Sequence, residues 1–359
     1  MRRAAIGLLL LAGAAAPAQA QPNTSQPNTS QPGTQPATAL ENFHRVTITN
    51  GPLTAQVYPP GQNELYRGTR FDHAGVVFHV TYQGQDYSSY WFDRFVTDPT
   101  VTGPQPPYVQ TSCCAVSGPV EEFSAVGFED AGMGGRFLKP GIGIFKRDND
   151  DPKRFPTLPA LNDGARTFAA TKNSAHFTQV IDDPKSGIGY RYEKTVTLVP
   201  GKPQMTISHV LTNTGRKTID TEVYCHNFLT LSPGNEHLVI TAPFAIKPQT
   251  PFQSHLAKVE GKTIRYLAPV PPGEMVRSYL DGFGNSASDY DFTVTNTKTG
   301  FGQRIRGDQP IVKINMWSID RTYSLEPYIA IHLKPGETKR WTYTYDYYGP
   351  KDKKAGVSP

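Results

Sequence analysis

The sequence predicts an all-β protein built around one large antiparallel β-sandwich. Three observations predict it: apolar and polar residues alternate with a period of two from end to end, helical periodicity is almost absent, and turn formers punctuate the alternating runs. The 32 Gly and 32 Pro suit many short strands joined by loops, and the 18 Tyr and 18 Phe supply strand formers and stacking surfaces. Successive side chains on a strand point to opposite faces, so each alternating run has one buried face and one wet or functional face. Two sheets can bury their apolar faces together while a polar outer face stays free for a ligand.

The elements follow in chain order. Arg2 and Arg3, the apolar run from Ala4 to Ala16 and the small residues of Ala18-Gln19-Ala20 predict a cleavable secretory signal over residues 1–20. The apolar run is too short to cross a bilayer and polar residues follow it, so no membrane anchor is expected and the protein should be periplasmic or secreted. Residues 21–40 open with Gln-Pro-Asn-Thr-Ser twice over and stay rich in Pro, Thr and Gln, which predicts a disordered linker. No second linker interrupts the chain, so one domain is expected over 41–350, with a polar tail over 351–359. The net charge of +5, which falls when Arg2 and Arg3 are removed, gives no reason to expect nucleic acid.

Within the domain, strands are expected at 46–49, 75–82, 176–181, 190–198, 204–212, 218–228, 238–241, 292–296, 312–317, 328–333 and 339–347. Turns are expected at Pro200-Gly201, Asn213-Thr214-Gly215, Pro233-Gly234-Asn235 and Pro335-Gly336. Three cysteines, Cys113, Cys114 and Cys225, cannot all pair within one chain: the adjacent two can form a vicinal disulfide, or one of them can bridge to Cys225. A structural role is expected for them. No metal site is expected, since only His226 adjoins a cysteine and neighbours on a strand face opposite ways. Asp148-Asn149-Asp150-Asp151 lacks the spaced ligands and terminal Glu of a calcium loop and reads as a solvated turn.

Three stretches resemble the galactose mutarotase (aldose 1-epimerase) superfamily: Tyr323-Ser324-Leu325-Glu326-Pro327 with the following Leu333-Lys334-Pro335-Gly336-Glu337 turn, Tyr224-Cys225-His226-Asn227-Phe228, and Tyr66-Arg67-Gly68-Thr69-Arg70-Phe71-Asp72-His73. Between them, Gly118-Pro119-Val120-Glu121-Glu122-Phe123 and Arg136-Phe137-Leu138-Lys139-Pro140-Gly141-Ile142-Gly143 are similar to its divergent periplasmic members more than to the true epimerases. Asn227 stands where the family's His-Pro-Tyr-Phe segment has its proline. The resemblance implies the mutarotase-like supersandwich and places Glu326 at the family's general base and His226 at its general acid. It implies an aldose 1-epimerase-like isomerase that opens a sugar ring without a cofactor.

A His and a Glu with complementary protonation can exchange protons with a sugar near neutral pH. Tyr224 and Asn227 flank His226 and can bind hydroxyls. Arg70, Asp72 and His73 form a polar cluster that can hold a sugar, and Glu122 and Lys139 are further candidates for substrate contact. Glu121 and Glu122 are adjacent, so on a strand only one of them can face a given site. The expected partner is a mono- or oligosaccharide. Two other readings share the fold: a polysaccharide lyase or glycoside hydrolase, and a glycan-binding protein without catalysis.

Overall fold

The computed structural model describes residues 34–60, 65–96, 108–111, 114–150 and 160–354. The expected signal, most of the linker, Cys113, Asp151 and the last five residues lie outside the described residues. The described residues form the antiparallel β-sandwich that the alternation predicts. Among them no helix is long and apolar enough to cross a membrane.

One sheet has ten strands, in the order Ala165–Ala170, Ser174–Asp183, Ile188–Leu198, Gln204–Asn213, Thr338–Tyr348, Gly302–Gly307, Asp291–Asn296, Leu238–Thr241, Thr263–Tyr266 and Ala257–Glu260. A second has six, in the order Lys247–Pro248, Val276–Asp281, Lys313–Ile319, Thr322–Leu333, Ile219–Phe228 and Gly118–Phe123. Every pairing within these two sheets is antiparallel. A four-stranded sheet of Val46–Thr49, Leu53–Tyr58, Val76–Tyr82 and Gln85–Asp86 packs into the same core.

The core lies between the inner faces of the two large sheets. Gln204–Asn213 buries every second residue, bringing Met205, Ile207 and Leu211 inward, and Thr338–Tyr348 does the same with Trp341, Tyr343, Tyr345 and Tyr347. The six-stranded sheet answers with Val223, Cys225, Ile314, Met316, Leu325 and Ile329. Each such aliphatic side chain contributes about 1.5–3 kcal/mol by leaving water. The register therefore cannot slip by one residue, because that would turn a whole row of these side chains out to solvent.

Both ends of the expected domain extend further than composition suggested. Residues 34–40 are structured: Thr34–Pro36 pairs with Arg94–Val96, and Ala37 and Leu40 are buried with Phe92 and Phe95. Two apolar side chains suffice to dock a stretch otherwise rich in Pro and Thr. At the other end Pro350–Lys354 is a short helix, and Asp352 accepts hydrogen bonds from the Tyr82 hydroxyl at 2.8 Å and Gln83 Nε2 at 3.0 Å. Cys114 is disulfide-bonded, whereas Cys225 is a free buried thiol that accepts a hydrogen bond from Tyr345 at 3.3 Å. The possible bridge to Cys225 is therefore not formed.

One break in the sheet bears on the site. The ladder between Ile219–Phe228 and Thr322–Leu333 is regular up to Tyr224 opposite Tyr328 and resumes as an isolated bridge at Leu229 opposite Tyr323. Between them sits Pro327, which has no N–H to donate. Side chains patch the gap. Asn227 Nδ2 donates to the carbonyls of Cys225 at 3.1 Å and Leu325 at 3.0 Å, and Ser324 Oγ accepts from the Asn227 N–H at 3.1 Å. Asn227→Leu should lower stability by about 1–3 kcal/mol, since it strands buried carbonyls and the Tyr345 hydroxyl. Urea unfolding measures it; a loss within the error of the fit would mean the patch carries no load.

Candidate functional site

Residues directly opposed in an antiparallel pair share a face. On Ile219–Phe228, Tyr224, His226 and Phe228 project from the outer face while Val223, Cys225 and Asn227 project into the core. Glu122 lies opposite Tyr224, Asn315 opposite Glu326, and Trp317 opposite Ser324. Four strands thus bring Glu122, Tyr224, His226, Glu326, Asn315 and Trp317 onto one outer face. The chain near its N-terminal end walls it with Tyr66, Phe71 and Trp91.

His226 and Glu326, some hundred positions apart in sequence, meet there: Nε2 lies 3.2 Å from Oε1. Asn315 Nδ2 donates to the other carboxyl oxygen at 2.7 Å. The imidazole stacks on Phe228 with ring centres 3.8 Å apart, and Phe71 and Trp317 meet it edge-on, each at 5.6 Å. His226 is 3% exposed and Glu326 2%, so a ligand can meet only their tips. His226 Nδ1 is buried without a hydrogen-bond partner.

Burial disfavours charge on both groups. It pushes the Glu326 carboxyl up to about 7, against the opposing hydrogen bond from Asn315. It pushes the His226 imidazole well below its ordinary value, with the Arg70 charge acting in the same direction. The pair is therefore neutral in slightly acid solution, with a protonated carboxyl beside an unprotonated imidazole. Linkage gives this a sign: because folding raises the Glu326 pKa above its ordinary 4.5, its contribution to stability is present below that value and is lost as pH rises through about 7. Glu326→Gln keeps the hydrogen bond from Asn315 without the charge. It should be more stable than the parent at pH 8 by on the order of 1–3 kcal/mol, with the difference vanishing near pH 5. Urea midpoints at the two pH values test this, and a pH-independent difference would refute the assigned shift.

Arg70 reaches the same face. It is about half exposed; Nε donates to Glu122 Oε2 at 2.7 Å and an Nη to the Tyr224 hydroxyl at 2.9 Å, and its guanidinium lies 4.6 Å from the centre of the Phe71 ring. Tyr224 also donates to Glu122. Burial would raise the Glu122 carboxyl, but the Arg70 and Lys139 charges outweigh it and hold Glu122 below the usual carboxylate range. Two carboxyls on one face are thus driven apart, Glu122 ionised and Glu326 holding its proton.

The remaining candidates do not all reach this face. Arg70, Asp72 and His73 diverge. Asp72 points inward to a buried charge cluster, with Lys194 Nζ 3.3 Å from both its carboxyl oxygens and the Tyr192 hydroxyl donating at 3.1 Å. Lys194 also donates to Glu121, whose other oxygen meets His209 Nε2 at 2.8 Å. All four side chains of this cluster are fully buried. Burial pushes the Asp72 carboxyl up; it would do the same to Glu121, but the Lys194 and His209 charges outweigh it and hold Glu121 down. His73 turns a third way, with Nε2 2.6 Å from the Gly68 carbonyl oxygen, and burial, followed by the Arg166 charge, lowers its pKa to about 4. Asn227 is the inward splint of the broken ladder and cannot meet a ligand on the outer face. Lys139 is buried, donates to the Phe123 carbonyl at 2.6 Å and stands 3.9 Å from Glu122, so it backs that carboxylate from within the protein.

Asn315, Trp317, Phe71 and Phe228 join the site without having been candidates from the sequence. Asn315 and Trp317 alternate with Ile314 and Met316, so the pattern places them on a polar face, but only strand pairing shows which residue they oppose.

No family model matches this sequence, and no curated protein matches it. Solved structures do. A putative aldose 1-epimerase from Escherichia coli K12 is 12% identical, with a TM-score of 0.50 over 85% of this chain and 99% of that one. A protein from Synechocystis is 9% identical, with a TM-score of 0.51 over 86% of this chain and 96% of that one. Likeness at this level of identity shows the fold: a galactose mutarotase-like β-sandwich, widely diverged in sequence.

Proposed function

We propose that this is an exported sugar-directed protein, and that it acts as an aldose 1-epimerase-like isomerase through His226 and Glu326. The observation that carries the reading is the contact between these two groups beside Arg70 on the outer face. They sit side by side at 3.2 Å, not across a sugar ring from one another. That spacing suits two oxygens bonded to one carbon, which is what the anomeric hydroxyl and the ring oxygen of a sugar are.

The pKa directions favour an exchange of the expected roles. Neutral His226 takes the proton from the anomeric hydroxyl through Nε2; the oxygen's electron pair closes the carbonyl as the bond from C1 to the ring oxygen breaks; the ring oxygen takes the Glu326 proton. Imidazolium and carboxylate are then neighbours and stabilise each other. Rotation about C1–C2 and the reverse steps close the ring on its other face. Arg70, Glu122 and Tyr224 offer donors and acceptors to the remaining hydroxyls. The catalysed exchange rate of a free aldose, followed by NMR, should therefore fall as pH rises through about 7, where Glu326 loses its proton. A rate that climbs over that interval would return the base role to Glu326. No acceleration across common hexoses and pentoses would end the proposal.

One observation favours a second reading. Opposed ionisation of Glu122 and Glu326 is also what glycoside cleavage needs, with Glu326 as the acid and Glu122 as the base. New reducing ends from a polysaccharide panel, lost in both Glu122→Gln and Glu326→Gln, would support hydrolysis over isomerisation; unsaturated products would point to a lyase.

A further inference from the structure

We infer that the outer face beyond His226 and Glu326 carries a second sugar subsite, built for an acidic ring, so that the ligand is an oligosaccharide containing a uronate. This rests on the sugar-directed reading above and adds the class of ligand.

The sheet continues past the pair. Trp317, whose ring meets His226, lies opposite Arg277 on Val276–Asp281, and Tyr279 on that strand lies opposite Asn315. Opposed residues share a face, so Trp317, Arg277 and Tyr279 extend the outer face by one strand. Arg277 is exposed, and Trp317 and Tyr279 are half-buried. Among the described residues no hydrogen bond or ion pair is made by the Arg277 guanidinium, the Trp317 indole N–H or the Tyr279 hydroxyl.

Their surroundings differ. The other cations of this face are matched, Arg70 by Glu122 and Lys313 by Glu222. Tyr328 is covered on one side by Tyr224 at 4.3 Å and meets the Lys313 ammonium at 4.1 Å. The nearby Asp281 is held by Gln249 at 3.1 Å. Trp317, Arg277 and Tyr279 thus combine aromatic surface, which suits the apolar face of a pyranose, with an uncompensated guanidinium, whose planar fork matches a carboxylate. Adjacent strands are roughly 4.8 Å apart, so the strand of Arg277 lies about 10 Å from that of Glu326, within the span of two linked sugar rings.

The test is calorimetric titration of the full chain with trigalacturonate and with neutral galactotriose. The parent should bind the acidic trimer about tenfold or more tightly, as expected for one charge-assisted pair, and Arg277→Gln, with an unchanged unfolding midpoint, should bind both alike. Equal affinities in the parent, or a preference that survives Arg277→Gln, would overturn the subsite. Catalysed exchange of a free aldose by the parent separates the two readings. Exchange without the acidic preference sinks the subsite alone; the preference without exchange sinks the isomerase and leaves the subsite standing.

Discussion

Replacing Lys194 by Met is expected to destabilise the domain by about 3–5 kcal/mol. Lys194 is the shared cation of two fully buried carboxylates, Asp72 and Glu121. Removing it leaves Asp72 to the Tyr192 hydroxyl and Glu121 to His209, and the loss includes the cost of burying charge that the ammonium no longer matches. Asp72→Asn and Glu121→Gln added to Lys194→Met should return much of the stability, because neutral side chains of the same shape no longer need the ammonium. The consequence extends to the outer face. Glu121 and Glu122 are neighbours on one strand, Asp72 follows Arg70 by two residues, and the Asp72 N–H donates to the Glu121 carbonyl at 2.8 Å. The inner cluster is thus tied to the two segments that carry Arg70 and Glu122. Urea unfolding of the single and triple variants measures the effect. A single variant within 1 kcal/mol of the parent would show that water or rearrangement satisfies the two acids, contrary to their burial.

The second large effect falls on turnover. Glu326→Gln keeps the shape of the pair and its hydrogen bond from Asn315 but cannot pass a proton to the ring oxygen, so catalysed anomer exchange should drop about 10²–10⁴-fold. His226→Gln should lose a comparable factor, and the double variant little more, because the two groups act as a unit. The same Glu326→Gln change should stabilise the protein at pH 8. Gain of stability with loss of turnover in one substitution is expected where a buried carboxyl is kept for chemistry. A purely structural Glu326 would still show the pH-dependent gain, which follows from burial alone, but not the loss of turnover.

Much of the architecture is legible in the sequence because burial writes itself as alternation. The 204–212 and 339–347 runs alternate cleanly and became central strands. The linker boundary was not legible, since Ala37 and Leu40 dock through two side chains within a stretch of unstructured composition. His226 and Glu326 were legible as residue types in familiar surroundings, and the strand register brings them together. Asp72 and Asn227 were misplaced for one shared reason. Polar residues read as ligand contacts until it is known which face they occupy, and both point inward, Asp72 to Lys194 and Asn227 to the gap that Pro327 opens. Asn315 and Arg277 owe their importance to cross-strand neighbours far away in sequence, which periodicity cannot reveal.

In the proposed reaction His226 and Glu326 exchange protons with the anomeric centre of a sugar. NMR exchange spectroscopy of galactose with parent, His226→Gln and Glu326→Gln at pH 6.5, alongside galactose titrations of the same proteins, tests it most directly. The parent should accelerate interconversion of the two anomers, and both variants should lose that acceleration while galactose still binds. Unaccelerated exchange by the parent, with binding intact in all three proteins, would contradict it and leave a glycan-binding protein in which the pair is structural.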